Sequence, residues 1–163
     1  MTGALLRTDK EITEIFERHS KILYRVCYSY MKNTADTEDV VQDAFYNLIV
    51  SQKSFENYEH ELAWLIRTAT NLCKNKLKHW WRKREELQDD ENLATYDASP
   101  DNEVLSAVLR LPDKYKTAIY LYYYEGYNSE EIAKILKKPS STIRNHLSEA
   151  KEMLRGIIEE DEE

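Results

Sequence analysis

The stretch Ala63–Lys83, AWLIRTATNLCKNKLKHWWRK, decides how the rest of the chain is read. From Trp64 to Arg84 there are four Lys and three Arg and no acidic residue. Advancing about 100° per residue from Arg67 puts Asn71, Lys74, Asn75, Lys78 and Arg82 within about −20° to 80°. On the same projection Leu62, Leu65, Ile66, Ala69, Leu72, Cys73, Leu77 and Trp80 fall within about 140° to 280°. One face is apolar and packs, and the other presents cations and amides. A solvated helix face normally interleaves signs, so a long acid-free run points to a polyanion. His79, Trp80 and Trp81 add rings beside the cations, a combination suited to unpaired strands with splayed bases. The bland alternative is an ordinary solvated amphipathic face.

Working outward, residues 10–31 carry Ile12, Ile15, Phe16, Ile22, Leu23, Val26, Cys27 and Tyr30 at helical spacing. Lys32-Asn33-Thr34 breaks that pattern. A second helix is expected from about Thr34–Asp36, with Asp36, Glu38 and Asp39 in its first turn, where the helix dipole favours acids. Its buried stripe is Val40, Val41, Ala44, Phe45, Leu48 and Ile49. Lys53 to Glu61 lacks a clear period and reads as a loop, so the third helix is expected over about residues 61–83.

The charge changes abruptly after this helix. Glu85 to Glu103 holds eight acids and no Lys or Arg, has no periodicity and contains Ser99-Pro100. It reads as a linker, with imitation of nucleic acid as the alternative. A second helical unit follows, opening with Val104, Leu105, Val108 and Leu109. Pro112 starts the next helix, with Gly126 expected near its C-terminal cap. Asn128 and Glu131 have the spacing of a capping box. Ile132, Ile135 and Leu136 form the buried side of that helix, Lys137 to Ser140 the turn, and Ile143, Leu147, Ala150 and Leu154 the stripe of the last helix. Two short helices with such a turn have helix-turn-helix geometry, in which the second helix enters the major groove. Opposite its stripe lie Ser141, Arg144, Asn145 and Ser148, groups that suit base edges and phosphates. An ordinary helical hairpin is the alternative. The acidic tail, residues 159–163, is expected to be disordered.

Composition narrows the classes. Only three Gly and three Pro in 163 residues favour helix over sheet, and 42% hydrophobic residues suffice for two modest cores. The net charge of −7 conceals segregation: residues 1–63 hold 7 bases against 11 acids, and residues 104–158 hold 9 against 6. Cys27 and Cys73 both fall on apolar stripes and read as buried, reduced thiols. No apolar run approaches a membrane span and no signal-peptide core opens the chain, so the expected location is cytoplasmic without direct membrane insertion. There is no Gly-rich phosphate loop or nucleophile motif. His19, His60, His79 and His146 lack ligand spacing, so neither a catalytic set nor a metal or other cofactor is expected.

Three stretches together resemble one family. NTADTEDVVQDAFYNLIV (Asn33–Val50) is similar to the core-polymerase-binding helix of bacterial sigma factors of the extracytoplasmic-function (ECF) group, the two-domain members of the sigma-70 family. Ala63–Lys83 resembles the helix that reads the −10 promoter element. LPDKYKTAIYLYYYEGYNSEEIAKILKKPSSTIRNHLSEAKEML (Leu111–Leu154) resembles the −35-reading domain. The likeness spans roughly residues 10–82 and 104–156.

The resemblance implies roles that spacing does not supply. Asp36, Glu38, Asp39, Gln42 and Asp43 would face a coiled coil of the polymerase's largest subunit. Loop 53–61 with Arg67, Asn71, Lys74, Asn75, Lys78 and Arg82 would hold the unpaired non-template strand at −10, one base extruded into a pocket. Ser141, Thr142, Arg144, Asn145, His146 and Ser148 would read −35, and the acidic linker would thread the polymerase cleft. Departures from the family pattern are Asn75 for Asp, Lys78 for Arg, Lys137 and Ser141 for Gly, and Glu149 and Glu152 where bases are common. The resulting expectation is an all-α, two-domain, non-enzymatic promoter-specificity subunit. Its domains are residues 1–84, a linker 85–103, residues 104–158 with the helix-turn-helix, and the tail. The implied partners are core RNA polymerase, promoter DNA and an anti-sigma factor. A stand-alone helix-turn-helix regulator and a helical adaptor making only protein contacts are the alternatives.

Overall fold

The computed structural model describes residues 7–87 and 107–162, without the side chains of residues 80–87 and 161–162. All regular structure among the described residues is helical. The chain divides into two compact units, Met1–Leu93 and Ala94–Glu163.

In the first unit three helices, α1 (Asp9–Met31), α2 (Thr34–Ser51) and α3 (Tyr58–Leu87), each pack on the other two. Their boundaries follow from capping chemistry. Thr8 accepts from the Glu11 amide at the start of α1, and Asn33 accepts from the Asp36 amide at the start of α2. Such caps satisfy amides the helix leaves open and stabilise it by about 1 kcal/mol each. Lys32 and Gln52 end α1 and α2 in the left-handed region, at φ 63° and 53°. The core combines Leu23, Val26 and Cys27 with Val40, Ala44 and Leu48 and with Leu65, Ile66, Ala69 and Cys73. Fully burying each large aliphatic side chain contributes roughly 1.5–3 kcal/mol. Cys27 and Cys73 are free, buried thiols. Their mutual contact and burial push the Cys27 thiol far above its ordinary range, which keeps it protonated.

Three expectations are corrected by this packing. Phe16, assigned to the buried stripe, is 47% exposed. Leu72 and Leu77, at the two edges of the projected stripe, are only half-buried. The loop is shorter than residues 53–61, since α3 begins at Tyr58. Asn57 supplies the cap by accepting from the His60 amide at 2.8 Å, and Glu59 and Glu61 occupy the favourable first turn.

The second unit contains a helical turn at residues 107–109, then α4 (Asp113–Tyr123), α5 (Ser129–Leu136) and α6 (Ser140–Glu162). Val104 and Leu105 lie outside the described residues. Ile119, Leu121, Ile132, Ile143 and Leu147 form a core among the three helices. The reciprocal capping box of Asn128 and Glu131 is present. α4 ends before Gly126, which takes φ +74° in the turn closed by the Tyr127 amide on the Leu121 carbonyl at 3.1 Å. Lys137 ends α5 at φ 54°, and the Lys138 amide closes back to Ala133 at 3.0 Å. That is the left-handed helix end that glycine ordinarily fills. The acidic tail is also corrected: α6 continues to Glu162. Half-buried Ile157 and Ile158 carry the stripe a turn beyond Leu154. Extending a formed helix avoids the cost of nucleating one.

Of the acidic linker, only residues 85–87 are described, and they continue α3.

Candidate nucleic-acid interface

The apolar flank of α3 anchors it between α1 and α2, which fixes the direction of the opposite flank. Asn71, Lys74, Asn75 and Lys78 are all exposed there, one turn apart, as the projection requires. Arg67 differs. It is half-buried, and the loss of water lowers its pKa without discharging a guanidinium. The side chain of Arg82, with Trp80 and Trp81, lies outside the described residues. Lys76 belongs to the same basic run but points elsewhere. Its Nζ reaches Asp36 at 3.4 Å and Asp39 at 3.6 Å.

The loop between α2 and α3 sits at the other end of the strip. Phe55 packs against His60 edge-on at 5.3 Å and against Trp64 at 5.9 Å between centroids. Beside it is a cleft of about 400 Å³ lined by Arg7, Lys53, Phe55, Tyr58 and Glu61 among others. Its inner wall is a polar cluster that the sequence reading missed. The buried carboxylate of Glu61 takes Arg18 at 2.6 Å and His19 at 2.7 Å. Arg18 also lies 3.6 Å from the Tyr58 ring centroid, a cation–π contact. Burial holds the His19 pKa below its ordinary value, although Glu61 pulls it upward. A neutral imidazole that donates through Nε2 therefore ties α1 to the first turn of α3. No spacing in the sequence relates positions 19 and 61; only the packing of α1 on α3 does.

On α2, Glu38, Asp39, Gln42 and Asp43 are exposed, whereas Asp36 is half-buried and receives an amide hydrogen bond from Asn33 at 2.8 Å. Glu38 and Gln42 line a groove of about 810 Å³ between α1 and α2, together with Phe16, Tyr24, Phe45 and Tyr46. Exposed Phe16, Tyr46 and Val50 make this side far more apolar than the acidic reading alone implied. The signal was present in the sequence, in Phe16 and Tyr46 at the edges of the stripes.

In the second unit Ser141, Arg144, Asn145 and Ser148 are exposed along one side of α6, with Thr142 half-buried beside them. His146 is turned inward, edge-on to the Tyr115 ring at 5.5 Å, and burial lowers its pKa with the help of nearby Lys138. Glu149 accepts from the Tyr115 hydroxyl at 2.5 Å. This acid therefore joins α6 to α4 although, like Glu152, it is exposed. Among the described residues no group of His, Cys, Asp and Glu could hold a metal ion, and no helix is long and apolar enough to cross a membrane.

Comparison with known proteins places both units. The family model of Sigma-70 region 2 matches residues 15–85, and that of Sigma-70, region 4 matches residues 101–154. The ECF RNA polymerase sigma-E factor of Haemophilus influenzae is 30% identical over 93% of this chain and 96% of its own length. RNA polymerase sigma factor SigV of Bacillus subtilis is 30% identical over 84% of each chain. The fold matches the sigma factor RpoE solved with the anti-sigma factor NepR from Bartonella quintana, at TM-score 0.70 and 22% identity over 92% of this chain and 98% of that one. It also matches CnrH solved with the cytosolic domain of CnrY, at TM-score 0.71 and 21% identity over 98% of this chain and 94% of that one. A helical unit matching region 2, followed in order by a helix-turn-helix unit matching region 4, makes this chain a member of the ECF group of sigma-70-family RNA polymerase sigma factors.

Proposed function

We propose that the exposed flank of α3 (Asn71, Lys74, Asn75, Lys78) holds the unpaired −10 strand, with Arg67, Arg82 and loop 52–57 at its ends. The observation that carries this is an acid-free cationic flank whose opposite side is locked into the core. Lysines neutralise phosphates, the amides hydrogen-bond, and ring surfaces near the loop accept splayed bases. Unstacking a base costs a few kcal/mol, and contacts made only by the separated strand offset that cost. Melting is then driven by capture.

Arg144 and Asn145, flanked by Ser141, Thr142 and Ser148, contact the −35 duplex from the exposed side of α6. His146 contributes by bracing α6 on Tyr115. Glu38, Asp39, Gln42 and Asp43 meet core polymerase, and the neighbouring apolar groove gives that contact buried area as well as charge. Asp36 chiefly holds Asn33, the cap of α2, in place. The chain acts in the cytoplasm as a non-catalytic subunit, and catalysis belongs to the polymerase. An anti-sigma factor, as NepR is for the RpoE solved with it, covers these surfaces in the inactive state.

Run-off transcription with purified core polymerase and a pool of genomic promoters tests the reading. Start-site-specific transcripts that require this chain are expected. Transcription indifferent to its presence removes the proposal.

A further inference from the structure

Arg7 precedes α1, and nothing in the motifs of this chain singles it out. Its guanidinium reaches more than forty residues along the sequence. Nη1 donates to the Leu48 carbonyl at 3.3 Å, and Nη2 donates to the Lys53 carbonyl. The same guanidinium lies 5.8 Å from the Phe55 ring centroid. Leu48 is in the last turn of α2, a turn that has no basic residue of its own. The Leu48 carbonyl also accepts from the Ser51 hydroxyl at 2.8 Å, and carbonyls at a helix C-terminus carry partial negative charge, so a cation there is favourable. Arg7 supplies that cation from outside the helix. With its second donor it pins the loop that follows, and it faces the ring that this loop inserts between His60 and Trp64.

A planar fork of donors can hold two carbonyls at once and still lie against a ring, which an ammonium cannot do. We propose that Arg7 is a positioning residue that sets loop 52–57 before DNA arrives, so that the −10 strand meets a preformed end of the α3 surface. This rests on the reading of that loop and flank as the strand-holding site. Its consequence is kinetic and energetic at once. A loop already fixed pays its ordering entropy during folding and not during strand capture.

Lys53 allows a direct test, because the carbonyl that Arg7 holds belongs to the peptide bond trypsin cleaves. The full-length chain is digested under native conditions, and the cut after Lys53 is followed by mass spectrometry. The same variants are assayed for core-polymerase binding and for opening of a duplex promoter by permanganate reactivity. Arg7→Ala is expected to speed cleavage at Lys53 about fivefold and to slow opening by about five- to tenfold, with core binding within about twofold. Arg7→Lys should fall between, and a promoter already unpaired at −10 should restore most of the loss.

Equal cleavage at Lys53 in wild type and Arg7→Ala overturns the proposal, as does unchanged opening. A parallel loss of core binding also overturns it, since Arg7 would then serve the fold as a whole. If Lys74→Ala with Lys78→Ala leaves opening at the wild-type level, the strand-holding reading itself fails, and this role fails with it. If that pair abolishes opening while Arg7→Ala does not change it, only the role of Arg7 fails.

Discussion

Lys76 Nζ lies 3.4 Å from Asp36 Oδ1 and 3.6 Å from Asp39 Oδ2, so one cation of the basic run serves the neighbouring helix and not the strip. Asp39 belongs to the α2 face proposed to meet polymerase, and Asp36 stands beside it in the first turn of that helix. Lys76 and Asp36 are only half-buried and Asp39 is exposed, so water screens the pairs and they contribute at most about 1 kcal/mol to stability. Lys76→Met should therefore leave thermal unfolding nearly unchanged while strengthening core-polymerase binding about two- to fivefold, because Asp39 is then free for a cation of the partner. Asp39→Arg should weaken binding about tenfold or more. Titrations at two salt concentrations check both. Undiminished co-purification of Asp39→Arg with core would count against this face.

Lys74→Ala combined with Lys78→Ala should reduce promoter opening and preserve core binding. Two lost phosphate contacts on a single strand should flatten the log–log salt dependence of −10 binding by about 1.4. Permanganate footprinting and salt titration read the two effects separately. Loss of core binding in this variant would mean that the flank serves the polymerase.

Arg144→Ala should cost about 1–3 kcal/mol of −35 discrimination. Tyr115→Phe removes the hydroxyl donated to Glu149 and leaves a free carboxylate on the DNA-facing helix, so −35 affinity should fall with Arg144 still present. Band-shift assays with the −35 duplex measure both. Equal wild-type activity on scrambled −35 sequences would remove the basis for either.

Lys137 takes the left-handed conformation at φ 54° where a glycine would be unstrained. Lys137→Gly should raise stability by about 0.5–1 kcal/mol, the relief of αL strain outweighing the added unfolded-state entropy. Denaturant unfolding followed by circular dichroism is the check, and a destabilised variant would show that the turn has no strain to relieve.

Glu61 is the shared acceptor of Arg18 and His19, and removing it strands a buried imidazole and a cation. Glu61→Ala should destabilise the first unit by about 2–4 kcal/mol. Burial lowers the folded-state pKa of His19 below its unfolded value of 6.5. The unfolded chain then binds the proton more readily, so this contribution is complete above pH 6.5 and is lost as pH falls from there through the folded pKa. His19→Gln, which can still donate to Glu61, should remove that part of the pH dependence. A wild-type stability that stays flat between pH 7.5 and the acid limit would contradict the assignment.

Much of this protein is legible in its local chemistry. The stripe of α3, the capping pairs Asn33–Asp36 and Asn128–Glu131, and the left-handed strain at Lys137 depend on residues within a few positions of each other. Period and capping act over that range, so the sequence alone determined most of the helices and the outward direction of Asn71, Lys74, Asn75 and Lys78. Asn57 at the start of α3 was equally local, but the aromatic residues after it hid the helical period.

What local order could not fix was how each long polar side chain is used. Lys76 turns to Asp36 and Asp39, His146 and Glu149 turn to Tyr115, and Glu61 receives Arg18 and His19 from a helix more than forty residues away. Arg7 crosses a similar distance to reach the end of α2. Composition counts all of these as charges. Only the packing of one helix against another decides which of them face solvent and a partner and which hold the fold together, because an ion pair or hydrogen bond forms by distance in space and carries no period along the chain.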